Sequence, residues 1–211
     1  MTGLVDAVSY LALGQVFTAN MTGNVVLLGF ATAGAPGLSA PRSASAMAAF
    51  LAGALAGGRL GNALSAQPWR RWAGIAFGLE AGLLLASAVV VVHAGADFAT
   101  SALAIYSVIV LAGFAMGVRN ATVRRLAVPD VTTTVLTMTL TGMAADSALA
   151  GATHEAKVRR RMVAVATMFV GAALGAWLLR YSAAAPLALG AVLSGVSAAT
   201  LLVRQADVPS K

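Results

Sequence analysis

The chain has 211 residues, of which 59% are hydrophobic and only 10% are charged. Soluble globular domains carry charge on about a quarter of their residues, so this composition excludes a soluble globular fold and indicates an all-α, polytopic helical membrane protein. The net charge of +7 comes from basic residues clustered between apolar segments, which is typical of membrane topology signals beside lipid headgroups and argues against a nucleic-acid partner.

The first predicted element is an apolar stretch with an unusually high polar content, residues 6–29 (DAVSYLALGQVFTANMTGNVVLLG). Membrane segments accept such groups mainly where they line a cavity or a pathway. Residues 117–142 repeat the layout, with Asn120 at the position that corresponds to Asp6. The sequence therefore predicts two related polar segments that face each other inside a helix bundle.

Six apolar segments follow the first polar stretch. In chain order they are 47–65, 73–93, 101–121, 130–150, 162–181 and 184–203. Small-residue patterns, Gly53-x-x-x-Gly57 and Gly171-x-x-x-Gly175, recur in the third segment of each half and suit close helix packing, either internal or in a homodimer. Together these matches predict one membrane domain over 1–211 with internal repeats at about 1–97 and 98–211.

The charge distribution favours an inverted arrangement of the repeats. Counting the first stretch as two segments, the second of them 17–31, gives eight; if all eight crossed fully, the basic loops at 122–129 and 154–161 would lie on opposite sides, against the positive-inside rule. If segments 17–31 and 131–150 are instead re-entrant or half-crossing, each repeat has three transmembrane helices and twelve of fourteen basic residues face the cytoplasm. We therefore expect inverted repeats with both termini cytoplasmic.

The first transmembrane helix is expected to be short. A full apolar run, residues 101–116, precedes Gly117, whereas only two residues precede Gly3. The repeat therefore predicts an N-terminally truncated first helix.

Neutral polar side chains dominate the candidate site. Thr18 or Asn20 can cap one half-helix, and Pro129-Asp130 has the form of a cap for the other, so that two helix N-termini would point inward at a polar or anionic solute. The candidate substrate-binding residues are Asp6, Ser9, Asn20, Thr22, Asn24, Asn120, Thr133, Thr134 and Thr137. The alternative is that these groups only join one helix to another.

Two carboxyl groups are predicted at membrane depth, Asp6 and Glu80. An unpaired charge there is costly, so each is expected to be paired, neutral or hydrated, and both are candidates for proton coupling. For Asp6 the alternative is an ion pair with Arg119 or Arg124 of the other half. Arg119, Arg124 and Arg125 form either a cationic rim for an anionic or zwitterionic solute or, above all for Arg124 and Arg125, simple topology anchors.

Catalytic and metal sites are not expected. The chain has no cysteine, and His93 and His154 are single and far apart. No nucleophile with a neighbouring base is visible either. We therefore expect no catalytic residue, metal or cofactor, and an enzyme is the function class that the sequence favours least.

Four motifs resemble the YoaK family of bacterial multi-pass membrane proteins, whose domain has no established function. They are DAxSYL from Asp6, FxANMTGN from Phe17, RNA from Arg119 and DxTTxxxT from Asp130. The resemblance covers essentially the whole chain and implies about six spans in the bacterial cytoplasmic (inner) membrane. Members usually have an apolar run before the first motif, which this chain lacks.

The sequence predicts a transporter of a small polar or anionic solute, surrounded by membrane lipids, with its site between the two broken segments. A passive channel built from the same half-helices is the first alternative. A scaffold or lipid-binding protein without transport is the second.

Overall fold

The computed structural model describes residues 1–126, 136–145 and 155–206. Their regular elements are all helical: α1 Thr2–Ala12, α2 Met21–Thr32, α3 Ala40–Ala63, α4 Trp69–Ala94, a 3₁₀ turn Gly95–Ala99, α5 Ala102–Leu126, α6 Leu136–Ala145, α7 Glu155–Leu178 and α8 Ala184–Ala206. The predicted all-α membrane fold is confirmed.

Five of the described helices, α3, α4, α5, α7 and α8, are long and apolar enough to cross a membrane. Their outward faces carry large apolar side chains, such as Leu103, Val92 and Phe169, that no other part of the described chain covers. Such faces suit contact with lipid acyl chains. The first predicted span is α1, whose 11 residues rise only about 17 Å.

Like α1, the helices α2 and α6 are short. The 12 residues of α2 and the 10 of α6 rise about 18 Å and 15 Å, roughly half of a hydrocarbon core. They occupy the second place in each half of the chain, between a first helix and two long ones. That these segments cross only half of the membrane stays a prediction, since the residues on both sides of α6 lie outside the described part of the chain.

Glycines allow the backbones of α3 and α5 to touch where the two helices cross. A methyl group on Gly117 would overlap the Phe50 carbonyl oxygen and would lie 2.7 Å from the Ala54 nitrogen. A methyl group on Gly53 would overlap the backbone of Phe114. The helices can therefore approach only because no side chain lies between them.

The crossing of α1 with α7 uses residues at corresponding positions. A methyl group on Gly3 would overlap the Met168 carbonyl oxygen and would lie 2.9 Å from the Ala172 nitrogen. Gly175 faces Leu4 and Ala7 in the same way. The predicted close packing of both small-residue patterns is therefore internal to the chain.

The basic residues gather at one end of the bundle. There Arg125, near the end of α5, donates to Asn62 at the end of α3, and Arg70, at the start of α4, donates to the Arg204 carbonyl of α8 at 3.2 Å. Because α8 ends at this basic end, it starts at the opposite end of the bundle, and only residues 179–183 join it to the end of α7. The start of α7 therefore also lies at the basic end.

Candidate solute-binding site

The non-helical segment between α1 and α2, residues 13–20, is fastened to α1 by two side chains. The Ala19 N–H donates to Asp6 Oδ1 at 3.0 Å, and the Thr18 N–H donates to Ser9 Oγ at 3.3 Å. Both side chains are buried. Backbone outside a helix needs such partners in a membrane, so Asp6 and Ser9 replace bonds that a continuous helix would make internally.

The reversal after α1 uses the left-handed backbone region. Gly14 has φ +88° and Gln15 has φ +56°, and the Gln15 N–H donates to the Tyr10 carbonyl oxygen at 3.0 Å. Glycine takes up this conformation without a steric penalty. The chain therefore turns back on α1 instead of continuing as a helix, and the polar segment returns alongside it.

Asn24 and Asn20 set the start of α2. Asn24 Oδ1 accepts from the Phe17 N–H at 2.8 Å, and Asn24 Nδ2 donates to the Phe17 carbonyl oxygen. Asn20 caps the helix, accepting from the Gly23 N–H at 3.3 Å as the sequence predicted. The N–H groups of Met21 and Thr22 have no partner within the helix, which leaves a positive end at this point.

A cavity of about 730 Å³ lies where the two short helices begin. Its polar lining comes from α1, the start of α2, α5 and the start of α6: Thr2, Asp6, Asn20, Thr22, Asn120 and Thr137. Asp6 is the one charged side chain among the described lining residues. The cavity is large enough for a small organic solute, since ligand sites in proteins commonly measure roughly 300–1,000 Å³.

Of the nine candidate substrate-binding residues, the structure brings five together at this cavity: Asp6, Asn20, Thr22, Asn120 and Thr137. Ser9 and Asn24 lie behind it and hold the backbone of the hairpin. Thr133 and Thr134 fall outside the described residues, as does the predicted Pro129-Asp130 cap.

The apolar wall of the cavity was not among the sequence predictions. Tyr10 and Phe17 stack with ring centroids 5.0 Å apart, and Met168 of α7 closes another side. The ring of Phe17 also packs over Gly23, where a methyl group would lie 2.8 Å from it. Phe17 lies within the polar motif and could have been included, whereas Met168 meets the cavity only through the crossing of α7 with α1.

Arg119 does not pair with Asp6, and this alternative from the sequence is wrong. Its Nη1 lies 3.0 Å from both carboxylate oxygens of Glu80 on α4, and its guanidinium stacks on the Phe77 ring. Glu80 is fully buried and Arg119 is 25% exposed. The pair lies outside the described lining of the cavity, as does Arg125, which is held by Asn62 and Trp72.

No metal centre is visible among the described residues, where no three His, Asp or Glu side chains come together. A second cavity of about 590 Å³ lies between α4 and α8. Its walls are mostly apolar, with His93 and Ser182 as its polar members. It shares no residue with the cavity at Asp6.

The model of a family described as "Protein of unknown function (DUF1275)" matches residues 1–200. The chain belongs to the DUF1275 family. A curated relative is the UPF0700 transmembrane protein YoaK of Bacillus subtilis (strain 168), 32% identical over 144 residues, which are 68% of this chain and 61% of the relative. The chain thus spans about three fifths of that relative's length, and no solved structure matches it. The predicted YoaK-family membership is confirmed.

Proposed function

We propose that this protein transports a small polar or anionic solute across the bacterial cytoplasmic membrane, with its site in the cavity at the starts of α2 and α6. The observation that carries the proposal is the joint lining of one cavity by the ends of two half-length helices from different halves of the chain. Broken helices that meet at a cavity are a common way for transporters to present free backbone groups to a solute.

The proposal includes an inverted internal duplication. In its support, α1 and α5 cross the third helix of the opposite half through matching contacts, Gly3 on Met168 and Gly117 on Phe50. The fourth helices, α4 and α8, run antiparallel, since Gly74 faces Leu202 and Gly195 faces Ala81. Rocking of one half of the chain against the other would expose the cavity to each side of the membrane in turn.

The orientation that we propose puts the arginine-rich end of the bundle in the cytoplasm. The support is the gathering of basic residues at the ends of α3, α5 and α8 and the starts of α4 and α7, with Arg42 and Arg180 beside the opposite helix ends. This distribution agrees with the positive-inside rule.

The test is flux in proteoliposomes made with the purified full chain. A panel of radiolabelled amino acids, small carboxylates, sugars and inorganic phosphate is offered with and without an imposed pH gradient. We expect saturable uptake of one class, reduced about tenfold or more by Asn20→Ala or Thr137→Ala and unchanged by Thr32→Ala, whose exposed hydroxyl on α2 only bonds Gly29.

Each other result points to an alternative. Rapid, unsaturable flux that does not respond to a gradient would make the protein a passive channel. No flux of any solute, with no effect of the cavity variants on cell phenotype, would favour a scaffold or lipid-binding role. Dependence on the pH gradient that is lost in Asp6→Asn or Glu80→Gln would support the predicted proton coupling.

A further inference from the structure

Asp6, which lines the cavity, has one carboxylate oxygen without a hydrogen-bond partner. Asp6 is only 6% exposed. Its Oδ1 accepts a hydrogen bond from the Ala19 N–H, whereas its Oδ2 has no hydrogen-bond partner. A buried carboxylate oxygen left unpaired costs free energy, and a donor supplied by a ligand would remove that cost. This side of the cavity therefore suits an N–H donor, and a charged amine would gain most.

The start of α2 offers the opposite polarity a short distance away. The N–H groups of Met21 and Thr22, which have no partner within α2, follow Ala19 by two and three residues, so the chain between Ala19 and Met21 spans at most about 7.6 Å. Helix N-termini favour anionic groups through these N–H groups and the helix dipole. An acceptor and a donor surface thus lie within one small molecule's length.

We infer that the ligand is a small zwitterion, with its ammonium group at Asp6 Oδ2 and its carboxylate at the N-terminal N–H groups of α2. The inference rests on the proposed function and narrows its solute class. A ligand with only an anionic group would leave Asp6 unpaired and would also be repelled by it. A ligand with only a cationic group would leave the positive end of α2 empty.

An aromatic pair lines the same cavity. Tyr10 and Phe17 stack on each other and share the lining with Asp6, whose Oδ2 is buried in the conformation described. A ligand therefore reaches this oxygen only when the side chains that bury it shift. The remaining wall, from Val26 and Leu27 of α2 and Met168, is apolar and leaves room for a small aliphatic side chain.

The test is equilibrium binding to the full chain in nanodiscs, independent of transport. The probes are the twenty natural amino acids, their methyl esters as cations, and the matching carboxylic acids without the amine as anions. We expect at least one amino acid to bind about tenfold or more tightly than both of its single-charge analogues.

Two variants separate recognition from folding. Asp6→Asn keeps an acceptor for Ala19 but removes the charge, and should weaken binding of the amino acid about tenfold or more. Asn20→Asp keeps the helix cap and adds a negative charge beside the ligand carboxylate, and should weaken binding without lowering thermal stability. Asp97→Asn, an exposed site in the 3₁₀ turn, is the control and should change nothing.

Equal or tighter binding of a single-charge analogue would overturn the inference while leaving a solute site, and so the proposed function, intact. Amino-acid binding that is unchanged in both variants would also overturn it. Binding of no probe would reject the zwitterion, and flux of another solute in the proteoliposome test would still support a transporter. Binding with the expected pattern but without flux would support the inference and reject transport.

Discussion

At the scale of single residues, Asn24 is the side chain that shapes the polar hairpin. Its amide pairs with both the N–H and the carbonyl oxygen of Phe17, and it is completely buried. Backbone outside a helix at membrane depth has to find partners within the protein, and here one amide side chain serves both groups. Asn24 therefore holds the backbone of the hairpin in place.

We expect Asn24→Ala to destabilise the protein by about 1–3 kcal/mol or more, because it leaves two buried backbone groups of Phe17 unpaired. The free energy of unfolding in mixed detergent micelles measures the effect. Thr32→Ala, at the exposed end of the same helix, should stay within about 0.5 kcal/mol of the parent. A stable Asn24→Ala protein would show that Phe17 finds other partners.

The buried pair of Glu80 and Arg119 gives a second prediction at this scale. Arg119→Leu leaves the fully buried carboxylate without its partner and should cost about 3–5 kcal/mol, whereas Glu80→Leu should cost less because Arg119 is 25% exposed. The double variant should recover much of the loss. A double-mutant cycle of unfolding free energies checks this, and strict additivity would contradict it.

At the scale of elements, the two backbone crossings decide where α1 and α5 lie. The helix α1 packs against α7, and α5 packs against α3, so each lies on a long helix of the other half. Both contacts need glycine on at least one of the two helices. Small residues at helix interfaces in membranes gain van der Waals contact and weak Cα–H hydrogen bonds because backbones approach closely. These crossings bring α7 with Met168 to the cavity that α1 lines.

We expect Gly53→Ala and Gly117→Ala to destabilise the bundle, since the added methyl group of each overlaps the backbone of the facing helix. Gly58→Ala is the matched control, because nothing lies within 4 Å of its position on α3 and alanine is the better helix former. Thermal unfolding in detergent should rank Gly58→Ala at or above the parent. A neutral Gly117→Ala would mean that the helices separate easily.

The sequence predicted elements better than contacts. Apolar length identified the long helices, and the polar motif with its asparagine cap identified the start of α2. It could not show that Glu80 would meet Arg119, because the two lie 39 residues apart on helices whose rotation is set by packing. The same reason explains why the sequence did not indicate Met168 of α7. Ser9 and Asn24 looked like solute ligands because a polar motif does not reveal which atoms its own backbone uses.

At the scale of the whole molecule, the bundle has one strongly basic end and one nearly neutral end. In α4, Trp69 and the arginine pair Arg70 and Arg71 mark the basic end, and Gly95 ends the helix about 39 Å away. Tryptophan and arginine at that height suit the interface between headgroups and water. The orientation of the protein in the membrane can therefore be measured at the two ends of α4 alone.

Because the chain has no cysteine, single-cysteine variants report sidedness without background. Ala66→Cys and Ala96→Cys lie at exposed positions before and after α4. In intact cells we expect a membrane-impermeant maleimide to label Ala96→Cys but not Ala66→Cys, and to label both after permeabilisation. The reverse pattern would invert the proposed orientation, and labelling of both in intact cells would contradict a spanning α4.

The Gly3 contact with Met168 also sets an order of events during synthesis. About 165 residues separate the two, which is roughly 10–30 s of translation at ordinary rates. Until α7 emerges from the ribosome, the face of α1 that carries Gly3 lacks its neighbour. The nascent chain must therefore keep its first polar hairpin sheltered, by the insertion machinery or at the bilayer surface, and a gene cut between the halves should yield a working protein only when both pieces are made together.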